Sequence, residues 1–202
     1  MSEEAPLLGI FVGGRARRMG GFPKGLLPAS NSGESIVRHL LTLAGEAGLD
    51  AVLIGEAGPY ANAAPGVTAL ADSPTGIGPL GGLAALLAHA LGRHRFAIAV
   101  ACDMPFVTGP VLDRLRSAPF SAQIVAARRT ANGPFEPFLA RYDAERVGAV
   151  LTRQLRGGTR SFQALFAACN VVEWPLTPEE RAAWDDWDTP EDLPDWARGG
   201  PL

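Results

Sequence analysis

The apolar run Leu7-Leu8-Gly9-Ile10-Phe11-Val12 stops abruptly at Gly13-Gly14. It is too short for a stable helix and has no polar face, which fits a strand buried on both sides. Ser35 to Ala47 then places Ile36, Val37, Leu40, Leu41, Leu43 and Ala44 at helical spacing, with Gly48 available to end the helix. Ala51-Val52-Leu53-Ile54 is a second apolar run, closed by Gly55. Strand, helix and strand in this order make a βαβ unit, whose crossover implies parallel strands with helices on the faces of the sheet.

The alternation continues along the chain. Gly25-Leu26-Leu27-Pro28 reads as extended, and Asn31-Ser32-Gly33 as a turn. Val67 to Ala71 is a third short strand ending at Asp72, and Pro79 can open a helix over Leu80 to Leu91. Phe96 to Cys102 is another buried strand and runs into Asp103-Met104-Pro105. A helix over Val107 to Leu115, capped by Thr108, follows. Ala122 to Arg128 and Pro134 to Tyr142 read as strands, with Pro137 needing an edge or a bulge. Asp143 to Leu155 and Phe162 to Ala168 read as helices, and Val171 to Trp174 as the last strand. Thr189-Pro190-Glu191-Asp192 carries the signature of a final helix start: a hydroxyl cap, a proline and two acids. One α/β domain spanning 1–202, with its core at about 7–197, accounts for this order.

The segment after the first strand holds four glycines and four cations between Gly13 and Lys24, including Arg18. Glycines let a backbone turn its N–H groups onto a phosphate, and arginine and lysine neutralise it. The competing reading is a surface turn with solvated arginines. A P-loop is excluded because Gly25, not Ser or Thr, follows Lys24; a dinucleotide fingerprint is excluded by the spacing of Gly13-Gly14.

In open α/β sheets ligands gather at the carboxyl ends of strands. Asp72 and Asp103 end two of the strands. Asp103 suits Mg²⁺, which takes one or two carboxylates plus substrate phosphates and waters; the alternative is a cap on the turn through Pro105. Gly81-Gly82 could serve a ligand or let a helix pack closely on the sheet. Trp184, Trp187 and Trp196 could stack on a planar ligand or pack in the core. His39, His89 and His94 lack metal-ligand spacing and read as surface residues, and Glu136 and Asp143 form no acid pair at recognisable spacing. A net charge of −3 gives no reason to expect nucleic-acid binding. Two isolated cysteines, Cys102 and Cys169, point to a reducing compartment. The short acidic start is unlike a signal peptide, and no apolar run reaches membrane-spanning length, so a cytoplasmic protein is expected.

Gly13-Gly14-Arg15-Ala16-Arg17-Arg18-Met19-Gly20-Gly21-Phe22-Pro23-Lys24 resembles the G-G-x-x-x-R-M-G-G-x-x-K segment of the molybdenum cofactor guanylyltransferase family of nucleotidyltransferases. Cys102-Asp103-Met104-Pro105-Phe106 resembles its C-D-x-P-[FY] segment, and Gly78-Pro79-Leu80-Gly81-Gly82 its G-P-L-A-G segment. Asp188-Thr189-Pro190-Glu191-Asp192-Leu193 is similar to its N-T-P-E-[DE]-L ending. The resemblance implies a Rossmann-like three-layer α/β/α sandwich with a mostly parallel sheet. It also implies transfer of GMP from GTP to the phosphate of molybdopterin, with release of pyrophosphate. Phe11, Val12, Gly13, Gly14, Lys24, Asp72 and Asp103 would bind the nucleotide; Arg18, Lys24 and Asp103 would be catalytic; Asp103 would hold Mg²⁺. Arg160, Asp186 and Asp188 would lie near the acceptor, although Arg160 could equally be a solvated loop residue. Acceptor-delivery or target molybdoenzyme proteins are implied partners.

The chain departs from the family pattern at several places. Phe11-Val12 stands for Leu-Ala, Gly55 for an asparagine, Gly81 for alanine, and Asp186 and Asp188 for two asparagines. The acidic ending is also found in related cytidylyltransferases. A cytidylyl- or sugar-phosphate nucleotidyltransferase, and a GTP-binding regulator without turnover, therefore remain alternatives.

Overall fold

A computed structural model describes residues 5–12, 22–29, 33–181 and 184–185. Its centre is a mostly parallel sheet with the order β3-β2-β1-β4-β6-β5-β7. The strands are β1 (Leu7–Phe11), β2 (Ala51–Ile54), β3 (Thr68–Leu70), β4 (Phe96–Ala101), β5 (Ile124–Ala126), β6 (Ala140–Asp143) and β7 (Val171–Glu173). Helices α1 (Ile36–Glu46), α2 (Pro79–Ala90), α3 (Gly109–Arg116), α4 (Ala144–Arg156), α5 (Phe162–Ala167) and α6 (Pro178–Arg181) connect or follow them. The fold is a Rossmann-like α/β/α sandwich.

The continuous apolar run of β1 conceals a period of two. Leu8, Ile10 and Val12 enter the core beneath α1 and α3, together with Ile36, Leu40 and Leu112. Leu7 and Phe11 enter the other core, beneath α2 and α4, with Leu83, Leu86 and Val147. Gly9 alternates onto that second face, where a β-carbon would stand 2.5 Å from Leu86 Cδ2. Ala97 and Ala99 of β4 are small on the same face, while Ile98 and Val100 fill the first core. α2 thus approaches the sheet over small residues.

Register puts four strand ends on one edge. Phe11 pairs with Ala101 and with Ile54, and Ile54 with Leu70. The residues that follow, including Val12, Gly55, Asp72 and Asp103, therefore share the carboxyl edge of the sheet. β6 alone among these strands runs antiparallel to its neighbours, with Phe96 opposite Asp143 and Ala99 opposite Ala140.

Several local expectations are corrected. Lys24–Leu26 is a 3-10 turn rather than extended chain, closed by the Leu27 N–H donating to the Lys24 carbonyl at 3.0 Å. The strand expected from Pro134 begins only at Ala140, preceded by Leu139 at a φ of 50°. Thr108 occupies the cap of α3, yet its side chain accepts no capping bond. His39 and His94 pin backbone rather than lie free: His39 Nε2 is 3.0 Å from the Val107 carbonyl oxygen and His94 Nδ1 is 2.8 Å from that of Ala5. Trp184 is buried edge-on against Trp174, with ring centroids 5.2 Å apart, so it packs in the core. The expected final helix from Thr189, with Trp187 and Trp196, lies outside the described residues.

Candidate active site

Two turns at the carboxyl edge bring charged groups together. The Cys102 N–H donates to the Phe11 carbonyl at 3.0 Å, which carries the end of β4 level with β1 and leaves Asp103 on the turn beyond. The 3-10 turn Lys24–Leu26 brings the second charge. Lys24 Nζ lies 3.1 Å from Asp103 Oδ2, and the two side chains are 15% and 22% exposed. A charge-assisted bond that is largely shielded from water holds its geometry better than a surface pair.

The next residue explains how the turn seats so close. Gly25 is buried, and a β-carbon on it would stand 2.6 Å from Val37 Cγ2, 2.8 Å from Tyr60 Cε1 and 3.1 Å from Cys102 Cβ. Tyr60 Oη is 3.9 Å from Cys102 Sγ. Burial, reinforced by the Asp103 carboxylate, pushes the Cys102 thiol up to about 12. Burial, then Cys102, also pushes the Tyr60 hydroxyl far above its ordinary value. Both groups are thus neutral near pH 7, and the floor beneath the Lys24–Asp103 pair adds no charge of its own. Sequence reading missed Gly25 and Tyr60. The position of Gly25 directly after Lys24 was a signal; Tyr60 offered none.

Asp72 is half-buried at the end of β3, over the first turn of α2. A β-carbon on Gly82 would lie 3.2 Å from Asp72 Oδ1, and one on Gly81 would lie 2.3 Å from the Pro74 carbonyl oxygen. The Ser73 N–H donates to the Gly81 carbonyl at 3.1 Å. The two glycines therefore let the loop after Asp72 fold down onto α2. Gly78, the cap of α2, sits at φ 70° and ψ −156°, a conformation that suits glycine. Gly55, where the resemblance expects asparagine, has a φ of 107°, which L side chains rarely adopt. Its N–H donates to the Leu70 carbonyl at 2.8 Å.

Arg160 is exposed on the loop between α4 and α5. α4 starts beside Asp143, opposite the first residue of β4, and its 13 residues carry the chain about 20 Å back toward the carboxyl edge. Aromatic contacts connect this end to β1: Phe162 and Phe138 have centroids 6.4 Å apart, and Phe138 meets Phe11 edge-on at 5.0 Å. The structure thus joins Lys24 to Asp103, sets Phe11, Val12 and Asp72 on the same edge, and returns the Arg160 loop toward it. Gly13, Gly14, Arg18, Asp186 and Asp188 lie outside the described residues.

For a divalent ion the donor set is the hard carboxylate of Asp103, against which a cation already stands. No group of three or more His, Cys, Asp or Glu able to hold a metal occurs among the described residues. Asp103 could hold Mg²⁺, an ion that completes its shell with substrate phosphates and water. No helix among the described residues is long and apolar enough to cross a membrane.

The sequence profile of the MobA-like NTP transferase domain matches residues 9–169. The chain belongs to this family. The MobA-like chain is 33% identical over 201 residues to a probable molybdenum cofactor guanylyltransferase of Opitutus terrae, covering 95% of this chain and 96% of that protein. It is 31% identical over 202 residues to the molybdenum cofactor guanylyltransferase of Xanthomonas euvesicatoria, covering 98% and 96%. Its fold is similar to that of the molybdopterin-guanine dinucleotide biosynthesis protein A of Archaeoglobus fulgidus, with a TM-score of 0.75, 22% identity, and coverage of 95% and 96%. Family and fold place the MobA-like chain among the nucleotidyltransferases.

Proposed function

We propose that this MobA-like chain transfers GMP from GTP to the phosphate of molybdopterin. An acceptor phosphate oxygen would attack the α-phosphorus of GTP; the bond from that phosphorus to the bridging oxygen would break, and pyrophosphate would leave. The observation that carries the reading is the Lys24–Asp103 pair, 3.1 Å apart at the carboxyl edge of the sheet. The names of the two relatives support guanine and the molybdenum cofactor.

The acceptor phosphate needs no protein base, because its second pKa of about 6 leaves it anionic near neutral pH. The work of the chain is alignment and charge neutralisation. Lys24 would neutralise phosphate oxygens, helped by Arg18, while backbone N–H groups around Gly13 and Gly14 cradle the nucleotide. Phe11 and Val12 would floor the pocket, Asp72 would bound it at the α2 end, and Arg160, Asp186 and Asp188 would face the acceptor. Asp103 would hold Mg²⁺, which when bound supplies Lewis-acid neutralisation of the phosphates. The setting we propose is the cytoplasm, with proteins that deliver molybdopterin or use the dinucleotide as partners.

Calorimetric titration with each Mg-nucleotide, followed by pyrophosphate release with molybdopterin, tests this. GTP is expected to bind more tightly than ATP or CTP and to release pyrophosphate only with the acceptor. Equal or tighter CTP binding would favour a cytidylyltransferase, the reading to which the acidic Asp186 to Asp192 ending points.

A further inference from the structure

We infer that Lys24 stands in for the divalent cation at Asp103 until a nucleotide arrives, so that metal and nucleotide enter the site together. The inference deepens the nucleotidyltransfer reading and rests on it.

Its basis is where Lys24 is held. The ammonium is 3.1 Å from Asp103 Oδ2, and both side chains are mostly shielded. This placement is built into the backbone. The turn carrying Lys24 is closed by Leu27 N–H to Lys24 carbonyl and by Leu26 N–H to Pro23 carbonyl, at 3.0 and 2.9 Å. Gly25 is wedged against Val37, Tyr60 and Cys102 without space for a β-carbon. Cys102 immediately precedes Asp103, so the residue after the lysine packs on the residue before the aspartate. Tyr60 and Cys102 are 3% and 8% exposed. The lysine is thereby delivered to the carboxylate by two packed turns rather than by a freely moving side chain.

An ammonium and a divalent ion at one carboxylate oxygen compete. Each is attracted to the same negative charge, and the ion is repelled by the neighbouring ammonium twice as strongly as a monovalent ion would be. Asp103 has no cluster of further acids among the described residues to outweigh that repulsion. A nucleotide triphosphate changes both sides of the balance. Its oxygens offer Lys24 a new anionic partner and complete the shell of an ion that takes only one or two carboxylates from protein. Lys24 thus opposes the metal alone and favours the metal with nucleotide.

The test is a manganese titration of the full chain, reading the Mn²⁺ retained with the protein in equilibrium dialysis, with and without the same GTP concentration on both sides and with no acceptor present. The parent is expected to bind Mn²⁺ weakly alone and much more tightly with GTP. Lys24→Gln removes the charge and leaves a polar side chain one atom shorter. It should bind Mn²⁺ alone about tenfold more tightly than the parent and bind Mn²⁺ with GTP less tightly, two changes of opposite sign. Lys24→Met should behave alike, which covers the case in which one variant fails to fold. Equal or weaker binding of Mn²⁺ alone by the folded variants would overturn the inference. Asp103→Asn separates this failure from failure of the underlying reading. If it leaves Mn²⁺ binding in the presence of GTP unchanged, Asp103 is not the metal residue. If it abolishes that binding while the lysine variants leave Mn²⁺ alone unaffected, only the stand-in role fails.

Discussion

Gly82 lies so close to Phe11 that a β-carbon on it would stand 2.7 Å from Phe11 Cε1. The same carbon would be 2.7 Å from Ile54 Cγ2, and both neighbours are buried at the carboxyl ends of their strands. The approach of α2 to the sheet is therefore set by a missing side chain, at the point where Asp72 overlies the helix.

This contact predicts the sign of a substitution. Alanine is the better helix former by about 1 kcal/mol, but overpacking a tight core costs about 1–3 kcal/mol. Gly82→Ala is expected to lower stability in urea unfolding. Gly45 of α1 has no atom within 4 Å of its would-be β-carbon, so Gly45→Ala should instead raise stability by up to about 1 kcal/mol. Equal effects at the two sites would show that α2 has slack against the sheet.

Asp103→Asn preserves shape and removes the charge. Turnover should fall about 100-fold or more, since a bound metal supplies several kcal/mol of charge stabilisation. Folding should survive, because the side chain sits at the edge of the core with 22% exposure. Near-normal turnover at saturating Mg²⁺ would reduce Asp103 to a turn residue.

Stability should fall in alkali. Burial raises Cys102 from an ordinary value of 9.0 to about 12. It also raises Tyr60 and Tyr142 far above an ordinary 10.0. An acid whose folded value is raised stabilises the fold fully below its unfolded value. That contribution is lost as pH climbs toward the folded value, because the unfolded chain ionises first. Cys102 therefore stops contributing progressively from pH 9.0 to about 12. Each such group removes up to about 1.4 kcal/mol per pH unit in its window. Unfolding midpoints measured from pH 8 to 10 in urea should decline, and Cys102→Ala should soften the decline. A flat profile would contradict the neutral floor beneath Lys24.

The pair Asp186 and Asp188 would set two negative charges near an anionic acceptor. At 4 Å each charge pair costs about 1 kcal/mol even in water. We propose that a second cation bridges them to the acceptor. Replacing both by asparagine should then weaken acceptor binding or lower the Mg²⁺ concentration needed for half-maximal rate. Unchanged values for both would place the two acids in solvent. Tighter acceptor binding at unchanged Mg²⁺ dependence would indicate plain repulsion and a less anionic acceptor.

Local sequence determined the alternation of elements, because burial on both faces, helical spacing and terminal glycines are written in neighbouring residues. It brought out β1 to β4, the helices Ser35 and Asp143 cap, and the placing of Asp72 and Asp103 at strand ends. It did not reveal that β6 runs backward. Ala140-Arg141-Tyr142-Asp143 is buried throughout, and a strand buried on both faces reads alike in either direction. It also gave no sign that Arg141 is internal. There the guanidinium donates to the Ala118 and Pro119 carbonyls at 2.7 and 2.6 Å and lies 4.0 Å from the Phe96 ring centroid. The pairing of Lys24 with Asp103, 79 residues apart, came only with tertiary structure. Periodicity reports how each segment is buried. Which segments meet is decided by long-range packing, here a glycine wedged among Val37, Tyr60 and Cys102.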